Sequence, residues 1–275
     1  MTILVTGATG NVGRHVVDRL VAAGRGVRAL TRDPGAAAFP ACVEVVRGDL
    51  ARPRTLQAAL RGVDRMYLFP VADTAPEVMA AVKDAGVRRI VVLSSDAVTD
   101  GTDIAHHLPV ERAVEASGIA WTHVRPGEFA LNKLSIWARS IRAEGVVRAA
   151  YPGARGVPVH EKDIAAVAVA ALLEDGHEGA TYSVTGPQSL TQREQVRAIG
   201  AGIGRTIRFE EVTPRQARDD MVRQGFPPQI ADYVLAFQAK WAKEPATVDP
   251  AVERVTGRPA RTLAQWAADH VADLC

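Results

Sequence analysis

Short apolar runs alternate with helical patterns through the first half of the chain. The runs are rich in β-branched residues, and the segment 90–93 (Ile-Val-Val-Leu) shows no polar alternation, which is typical of a strand covered on both faces. Strands that alternate with helices indicate βαβ units and a parallel sheet. The predicted strands are Ile3–Thr6, Val27–Thr31, Val43–Val46, Met66–Phe69, Ile90–Ser94 and Trp121–Arg125. The predicted helices between them cover about 11–23, 53–61, 74–85 and 104–117.

Residues that favour helix ends stand at the boundaries of these helices. Pro53 suits a first helical turn, and Thr74 with Glu77 has the spacing of a capping box. Glycines follow four of the helical stretches, where a left-handed C-cap residue is favoured, at Gly24, Gly62, Gly86 and Gly118. The capping residues therefore predict the same helices as the apolar pattern.

The regular alternation of predicted strands and helices ends after residue 126. A looser stretch leads to a helix from Asp163 to Leu173, whose apolar side chains share one face. The later predicted elements are strands at Thr181–Val184 and Arg205–Val212 and helices that begin at the capping boxes Thr191/Glu194 and Thr262/Gln265. No linker rich in serine or proline separates these pieces from the first half.

Composition narrows the classes of protein that this pattern allows. The 275 residues are 47% hydrophobic and 23% charged, which is typical of a globular chain, and 33 basic against 31 acidic residues give a net charge of +2. This balance favours no nucleic-acid partner. Two cysteines, Cys42 and Cys275, indicate neither a disulfide framework nor a metal site. With no apolar run of about 20 residues and no basic leader, we expect a cytoplasmic protein that does not enter a membrane.

A glycine-rich segment follows the first strand and opens the first helix, with the sequence Thr-Gly-Ala-Thr-Gly-Asn-Val-Gly at 6–13. Gly7 permits a tight turn, Gly10 lets the backbone approach a pyrophosphate, and Gly13 allows close packing of helix on strand. Backbone amides and the helix dipole then receive the phosphates. The alternative is a turn that needs its glycines for shape alone. The residues predicted to hold the phosphates are Gly7, Thr9, Gly10, Asn11, Val12 and Gly13.

The residues at the end of the second strand indicate whether the protein binds NAD(H) or NADP(H). An acidic side chain at this place would hold a ribose 2′-hydroxyl, but Thr31 and Arg32 stand here, and a guanidinium suits a 2′-phosphate. We therefore expect NADP(H) as cofactor. Asp33 could instead contact a ribose, and Arg32 could be a plain surface residue, so both alternatives stay open at this point.

These features together predict an α/β fold, a Rossmann-type doubly wound parallel sheet with a small C-terminal substrate lobe. Residues 1–150 are expected to form the NADP-binding domain. Residues 151–275 are expected to complete the sheet and to form the small, mostly helical lobe.

Five short motifs follow one another along the chain. They are the segments 6–13, 31–34 (Thr-Arg-Asp-Pro), 48–50 (Gly-Asp-Leu), 94–95 (Ser-Ser) and 125–127 (Arg-Pro-Gly). Together they resemble the NmrA-like branch of the atypical short-chain dehydrogenases/reductases. The segment 255–262 is also similar to members that act as quinone or azo reductases, so the resemblance covers nearly the whole chain.

The resemblance implies further cofactor contacts. Asp49 and Leu50 would border the adenine, Phe69 and Pro70 would line the path of the nicotinamide ribose, and Ser94 and Pro126 would complete the cofactor set. Core packing is the alternative for Phe69, and helix capping is the alternative for Asp49.

The resemblance fails at the catalytic residues. The family commonly uses Ser, Tyr and Lys, but residues 96–118 contain neither Tyr nor Lys. In an alignment through the helix end at 117–119, the Tyr place falls near Asp103 and the Lys place falls at His107. Ser95 and Asp96 stand near the Ser place. The candidate catalytic residues are therefore His107, Ser95 and Asp96, with no metal.

His107 is the leading candidate because an imidazole can donate or accept a proton near neutral pH. It also stands where isoflavone-reductase relatives have a catalytic lysine. The adjacent His106 would point about 100° away around a helix, so one site cannot use both. The alternative is that both histidines are surface residues.

The sequence favours an NADPH-dependent reductase that transfers hydride to a conjugated carbonyl, aromatic ketone or quinone, with an aromatic polyketide of antibiotic biosynthesis as one example. Such acceptors delocalise the developing charge, so they depend on positioning and electrostatics more than on a strong acid. The candidate substrate contacts are Phe129, Asn132, Trp137, Tyr151 and His160, although for each of them taken singly core or lid packing is the favoured interpretation.

Two other functions stay open. The first is a non-catalytic NADP(H)-sensing regulator, since the NmrA-like family includes such proteins, and a protein partner is expected only in this case. The second is an isomerase or epimerase, which the missing Tyr disfavours.

Overall fold

The computed structural model describes all 275 residues, and the chain folds into two compact units. Unit 1 consists of Met1–Gly127, Glu161–Val184 and Ala251–Arg258. Unit 2 consists of Glu128–His160, Thr185–Pro250 and Pro259–Cys275. The predicted boundary at residue 150 divides the chain into domains that fold independently, whereas the two units are defined by their internal contacts. The domain boundary therefore stays a prediction.

A seven-stranded parallel sheet forms the centre of unit 1. With elements numbered in chain order, the strands are β1 (Thr2–Val5), β2 (Gly26–Thr31), β3 (Val43–Arg47), β4 (Arg65–Leu68), β5 (Arg89–Leu93), β6 (Ala120–Pro126) and β9 (Ala180–Val184). They pair in the order β3-β2-β1-β4-β5-β6-β9. The strand order reverses between β1 and β4, which is the place where doubly wound sheets bind ligands. The predicted Rossmann-type sheet is therefore confirmed.

Helices cover this sheet and explain why its central strands are continuous apolar runs. The helices of unit 1 are α1 (Gly13–Ala22), α2 (Gln57–Leu60), α3 (Ala75–Asp84), α4 (Leu108–Ala116), α6 (Glu161–Leu173) and α10 (Ala251–Thr256). Every residue of β5 is buried as a result. The glycines that follow the helix C-termini have the left-handed backbone that was predicted for them. All four have positive φ, between 66° and 79°: Gly24, Gly62, Gly86 and Gly118.

Unit 2 is built from helices and short strand pairs. Its strands are β7 (Val146–Ala149), β8 (Arg155–Gly156), β10 (Leu190–Thr191) and β11 (Arg208–Glu211). Its helices are α5 (Asn132–Glu144), α7 (Gln192–Ile203), α8 (Pro214–Arg223), α9 (Pro228–Lys243), α11 (Leu263–Asp269) and α12 (Val271–Leu274). Strand β11 pairs with β7 in parallel and β10 pairs with β8 antiparallel, and a core of aliphatic side chains surrounds the buried Trp266.

The structure corrects several predicted elements. The looser stretch contains α5 and β7, the late strand covers only Arg208–Glu211, and the helix expected over 53–61 begins with a 3₁₀ turn. The capping boxes at Thr191 and Thr262 are confirmed. The box at Thr74 is wrong, because its hydroxyl donates to the Leu50 carbonyl oxygen at 2.8 Å instead of capping α3.

None of the helices combines the length and apolar character needed to cross a membrane. Cys42 and Cys275 are both exposed and unpaired, as expected. The predicted cytoplasmic location stays a prediction.

Candidate cofactor and catalytic site

The segment after β1 forms a tight loop that is tied to the end of β4. The Thr6 amide and hydroxyl both donate to the Tyr67 carbonyl oxygen at 3.0 Å, and the Thr6 hydroxyl accepts from the Phe69 amide at 2.7 Å. Gly7 has φ +57°, which glycine adopts without strain, and its carbonyl oxygen accepts from the Gly10 amide at 2.9 Å. The loop is therefore fixed at the point where the strand order reverses.

The other two glycines of the loop have different reasons for lacking a side chain. A Cβ at Gly13 would lie 2.1 Å from the Gly7 carbonyl oxygen, so only glycine lets α1 start this close to β1. A Cβ at Gly10 would meet that oxygen at 3.1 Å and otherwise extend into open space. The space in front of Gly10 is thus accessible to a ligand, while the space at Gly13 is filled by the loop itself.

The start of α1 has the properties of an anion site. The amides of Asn11, Val12 and Gly13 donate to no protein acceptor, and the first turn of α1 contains no acidic residue. Free amides at a helix N-terminus attract phosphate through hydrogen bonds and the helix dipole. Thr9, Gly10 and Asn11 are exposed. The loop therefore fits the pyrophosphate of a dinucleotide.

At the end of β2, the two residues that could choose the nucleotide differ in their contacts. Asp33 accepts from the Gly35 amide at 3.1 Å and caps a short 3₁₀ turn. Arg32 is exposed and makes no ion pair, so its guanidinium is available to a ligand. This arrangement favours Arg32 over Asp33 as the residue that recognises the 2′ substituent of the adenosine ribose.

The segment after β3 positions Asp49 and Leu50. One Asp49 carboxylate oxygen accepts from the Ala51 amide at 3.0 Å, and the other lies 3.9 Å from Arg52 Nε. Leu50 is buried beneath this turn. Asp49 therefore closes a local turn and caps no helix, because the 3₁₀ turn that follows has Arg52 at its N-cap without a side-chain hydrogen bond. The role of Asp49 toward adenine stays a prediction.

Phe69 and Pro70 follow β4 beside the phosphate loop. The Phe69 side chain is 44% exposed, although its Cβ and ring lie close to Gly7. Core packing is therefore the wrong interpretation of Phe69. An exposed aromatic ring at this edge of the sheet is available to a bound nucleotide.

A buried ion pair supports the loop after β6. Arg125 donates to both oxygens of Glu111, from Nε at 2.9 Å and from Nη2 at 2.6 Å, and Pro126 is buried next to it. Burial alone would raise the pKa of Glu111, but the hydrogen bonds from Arg125 and Ser94, together with the nearby charges of Arg125 and His123, hold the pKa below its usual value. Glu115 and His123 also place ligand atoms near Glu111. Because Arg125 already occupies both Glu111 oxygens, this group is an ion-pair cluster.

The serine segment after β5 is engaged in local contacts. Ser94 is buried, Ser95 Oγ accepts from the Ala97 amide at 3.3 Å, and Asp96 accepts from the Ser183 hydroxyl at 2.7 Å. Ser95 and Asp96 are half-buried, so both remain near the surface of this edge. Their catalytic role stays a prediction.

His107 lies at the N-cap of α4, because the helix begins at Leu108 rather than at 104. The predicted helical separation of His106 from His107 is therefore wrong. Both backbone amides donate to the same Asp103 oxygen, at 2.9 Å and 3.2 Å, and the other Asp103 oxygen contacts Nδ1 of the His107 ring. Asp103 and His107, which the sequence alignment assigns to the places of the family's Tyr and Lys, are thus in direct contact. Sequence reasoning missed this contact.

The carboxyl ends of parallel strands share one edge of a sheet. The loops after β1 to β6 accordingly bring the predicted cofactor and catalytic residues to one edge of unit 1. These residues are Gly7, Arg32, Asp49, Phe69, Ser95, His107 and Pro126.

Unit 2 contains the predicted substrate residues in varied surroundings. Phe129 is half-buried, Asn132 is exposed at the start of α5, and Trp137 is buried in the core. The Lys133 ammonium lies 4.5 Å from the centre of the Trp137 ring and pairs with Glu128. The substrate roles of these residues stay predictions.

Tyr151 has an unusual backbone conformation. It is the only residue other than glycine with positive φ, at 52°, which costs of order 1 kcal/mol for such a side chain. It lines a cavity of about 590 Å³ together with Pro152, Gly153, Glu211, Val212, Thr213, Pro214, Gln216 and Ala242. His160 is buried elsewhere in unit 2, with Nε2 at 3.2 Å from Asp269.

Comparison with known proteins extends these observations. The NmrA-like family model matches residues 1–268. The chain is 44% identical to (4-alkanoyl-5-oxo-2,5-dihydrofuran-3-yl)methyl phosphate reductase of Streptomyces griseus, over 98% of this chain and 97% of the relative. It is 38% identical to the NAD(P)H azoreductase of Xenophilus azovorans, over 98% of both chains. The crystal structure of an NADPH-dependent quinone oxidoreductase from Escherichia coli matches with a TM-score of 0.82 and 26% identity, over 98% of this chain and 99% of that chain.

The sheet, the phosphate loop and these relatives define an NAD(P)H-dependent oxidoreductase with a Rossmann fold. The chain belongs to the NmrA-like family. The resemblance drawn from the sequence motifs is therefore confirmed.

Proposed function

We propose that this chain is an NADPH-preferring reductase that transfers hydride to a conjugated acceptor, namely a conjugated carbonyl, aromatic ketone or quinone. NADP(H) is the cofactor, and small molecules are the substrates. The observation that carries the proposal is the edge of unit 1, where a phosphate loop with free amides stands with the Asp103–His107 pair in place of Tyr and Lys. An aromatic polyketide is one concrete member of this acceptor class.

The relatives act on acceptors of similar chemistry. A 4-alkanoyl-5-oxo-2,5-dihydrofuran has a ring double bond conjugated with two carbonyls, and quinones are conjugated as well. When such a molecule takes hydride, the negative charge spreads over oxygen and ring atoms. A site without a strong acid can serve this reaction, because positioning and electrostatic stabilisation supply most of the rate.

The residues of this chain have separate tasks in the proposed reaction. NADPH supplies the hydride when it is bound. The amides of Asn11, Val12 and Gly13 hold the pyrophosphate, and Arg32 pairs with the 2′-phosphate. His107 places the reacting groups, and Ser95 and Asp96 are the other candidate catalytic residues.

The test is NADPH oxidation, followed by absorbance, with a panel of quinones, aromatic ketones and an alkanoyl butenolide. Turnover with at least one conjugated acceptor, and a faster rate than with an isolated ketone such as cyclohexanone, is expected. Tight NADPH binding without turnover of any acceptor would contradict the proposal and favour a redox-sensing regulator. Heat-denatured protein serves as the control for direct chemical reduction.

A further inference from the structure

The turn before α4 encloses one carboxylate with three hydrogen-bond donors. One Asp103 oxygen accepts from the amides of His106 and His107, and the other contacts Nδ1 of the His107 ring. The Asp103 side chain is 11% exposed, while the His107 ring is 27% exposed. Contacts within the turn therefore hold the Asp103 carboxylate in place, and the His107 ring is partly exposed to solvent.

The charge of Asp103 decides which ring nitrogen carries hydrogen. Burial alone would raise the pKa of Asp103, but hydrogen bonds from the His107 ring and the two amides outweigh burial and hold the pKa below its usual value. An ionised carboxylate can only accept hydrogen bonds. Nδ1 must therefore carry the hydrogen, which leaves Nε2, without a protein partner, as the nitrogen that faces outward.

We propose that Asp103 is a positioning residue for the reductase reaction: it holds the His107 ring through Nδ1 so that Nε2 meets the oxygen of the conjugated acceptor. This inference rests on the proposed function. It assigns to Asp103 and His107 jointly the orienting role that the family's usual Tyr and Lys would otherwise fill.

The pair suits the charge that develops during reduction. The acceptor takes a hydride from NADPH, which becomes NADP⁺, and its oxygen becomes negative. For this contact the His107 ring takes a second proton from solvent at Nε2. It then donates from Nε2 to that oxygen, and the Asp103 carboxylate balances the charge of the ring. A water molecule protonates the product oxygen and becomes hydroxide, so the ring keeps both hydrogens. Loss of Asp103 leaves the ring free to rotate and weakens this contact.

A purely structural role is the competing explanation. Asp is a favoured residue at the start of a helical turn, and its contacts with the amides of His106 and His107 are those of a cap. Serine caps helices about as well as aspartate, but it is too short to reach the His107 ring. The Asp103→Ser variant therefore removes the contact with the His107 ring and keeps the cap.

The first measurement is ¹⁵N NMR of the histidine rings in the full-length protein without substrate. Wild type is expected to show a His107 ring protonated at Nδ1, assigned by its loss in His107→Ala. Asp103→Ser is expected to lose the fixed Nδ1 hydrogen while keeping the wild-type circular dichroism spectrum. A wild-type ring that lacks hydrogen at Nδ1 would overturn the pair whatever the enzyme reduces.

The second measurement is a double-mutant cycle with NADPH and 1,4-naphthoquinone. Asp103→Ser is expected to lower kcat/KM about tenfold in the wild-type background and by less than twofold in the His107→Ala background. Equal factors in both backgrounds would show that Asp103 is only a cap. Absence of turnover by wild type with every acceptor would contradict the proposed function, and the NMR result would then still decide whether the pair exists.

Discussion

We expect a single exposed guanidinium, that of Arg32, to determine the nucleotide preference. Arg32 makes no ion pair, so its positive charge is available to a 2′-phosphate, whereas one oxygen of the neighbouring Asp33 is already engaged with the Gly35 amide. We expect NADPH to bind at least tenfold more tightly than NADH, about 1.4 kcal/mol. Calorimetry with both nucleotides measures this ratio in wild type and in Arg32→Ala, where it should fall toward one.

The control for this comparison is Arg25→Ala, at the opposite end of β2. Arg25 is also exposed, so this change removes the same charge from the protein without touching the carboxyl edge of the sheet. Equal affinity of wild type for NADPH and NADH would refute the assignment of Arg32.

His107 is expected to position groups rather than to act as an indispensable acid. Because its role is a contact that water can partly replace, His107→Ala should lower kcat/KM less than a hundredfold, about 2.7 kcal/mol. Loss of an obligatory proton donor typically costs 10² to 10⁴-fold. Steady-state reduction of the best acceptor measures the effect, with His107→Phe as the variant that keeps a ring. A fall beyond a thousandfold at unchanged NADPH affinity would make His107 the acid.

Residue-scale chemistry was only partly visible in the sequence. The glycines of the phosphate loop could be recognised because their spacing at a strand–helix junction is a local sequence pattern. The contact between Asp103 and His107 was not readable, because it depends on a turn that holds residues 103–107 before α4 begins. The ion pair of Arg125 with Glu111 was missed for a related reason, since it joins two elements that the sequence separates by 14 positions.

The junction of β1 with α1 is an element whose geometry can be tested by one side chain. A Cβ at Gly10 meets only the Gly7 carbonyl oxygen, at 3.1 Å, so a larger side chain would extend into the space in front of the free amides. Gly10→Val should therefore abolish NADPH binding while the protein stays folded. Calorimetry measures binding, and thermal unfolding followed by circular dichroism checks the fold.

Gly10→Ala provides a graded control at the same position, since its single methyl group fills less of the space. It should weaken NADPH binding less than valine does. Normal NADPH binding by folded Gly10→Val would mean that the phosphates lie elsewhere.

Elements with a strong local signal were predicted, and elements set by tertiary packing were not. The six strands of the first half lie within one or two residues of their predicted ends, because continuous apolar runs between helices have few alternatives. Helix α5 was missed because the stretch that contains Trp137, Tyr151 and Pro152 was interpreted as irregular. Its buried face, which includes Trp137 and Ile141, is stabilised by contacts with distant residues of unit 2.

The stability of the molecule should depend on pH through buried histidines. Burial lowers the pKa of His123 and of His15 below the usual 6.5, with nearby charges as smaller effects. Below pH 6.5, His123 and His15 therefore bind protons in the unfolded chain more readily than in the folded protein. The stabilisation by these two residues is complete above pH 6.5 and is lost as the pH falls toward their folded pKa values.

A substitution at His123 tests this dependence on the scale of the whole protein. His123 is fully buried and stacks on Trp121 with ring centres 4.2 Å apart, so His123→Phe keeps the stacking and removes the titrating group. Each such group contributes at most about 1.4 kcal/mol per pH unit to the slope of unfolding free energy against pH. Urea denaturation between pH 5 and pH 7.5 should give a shallower slope for His123→Phe than for wild type. His106→Gln, at an exposed histidine, should keep the wild-type slope. An unchanged slope in His123→Phe would show that the unfolded chain gains no proton there relative to the folded one.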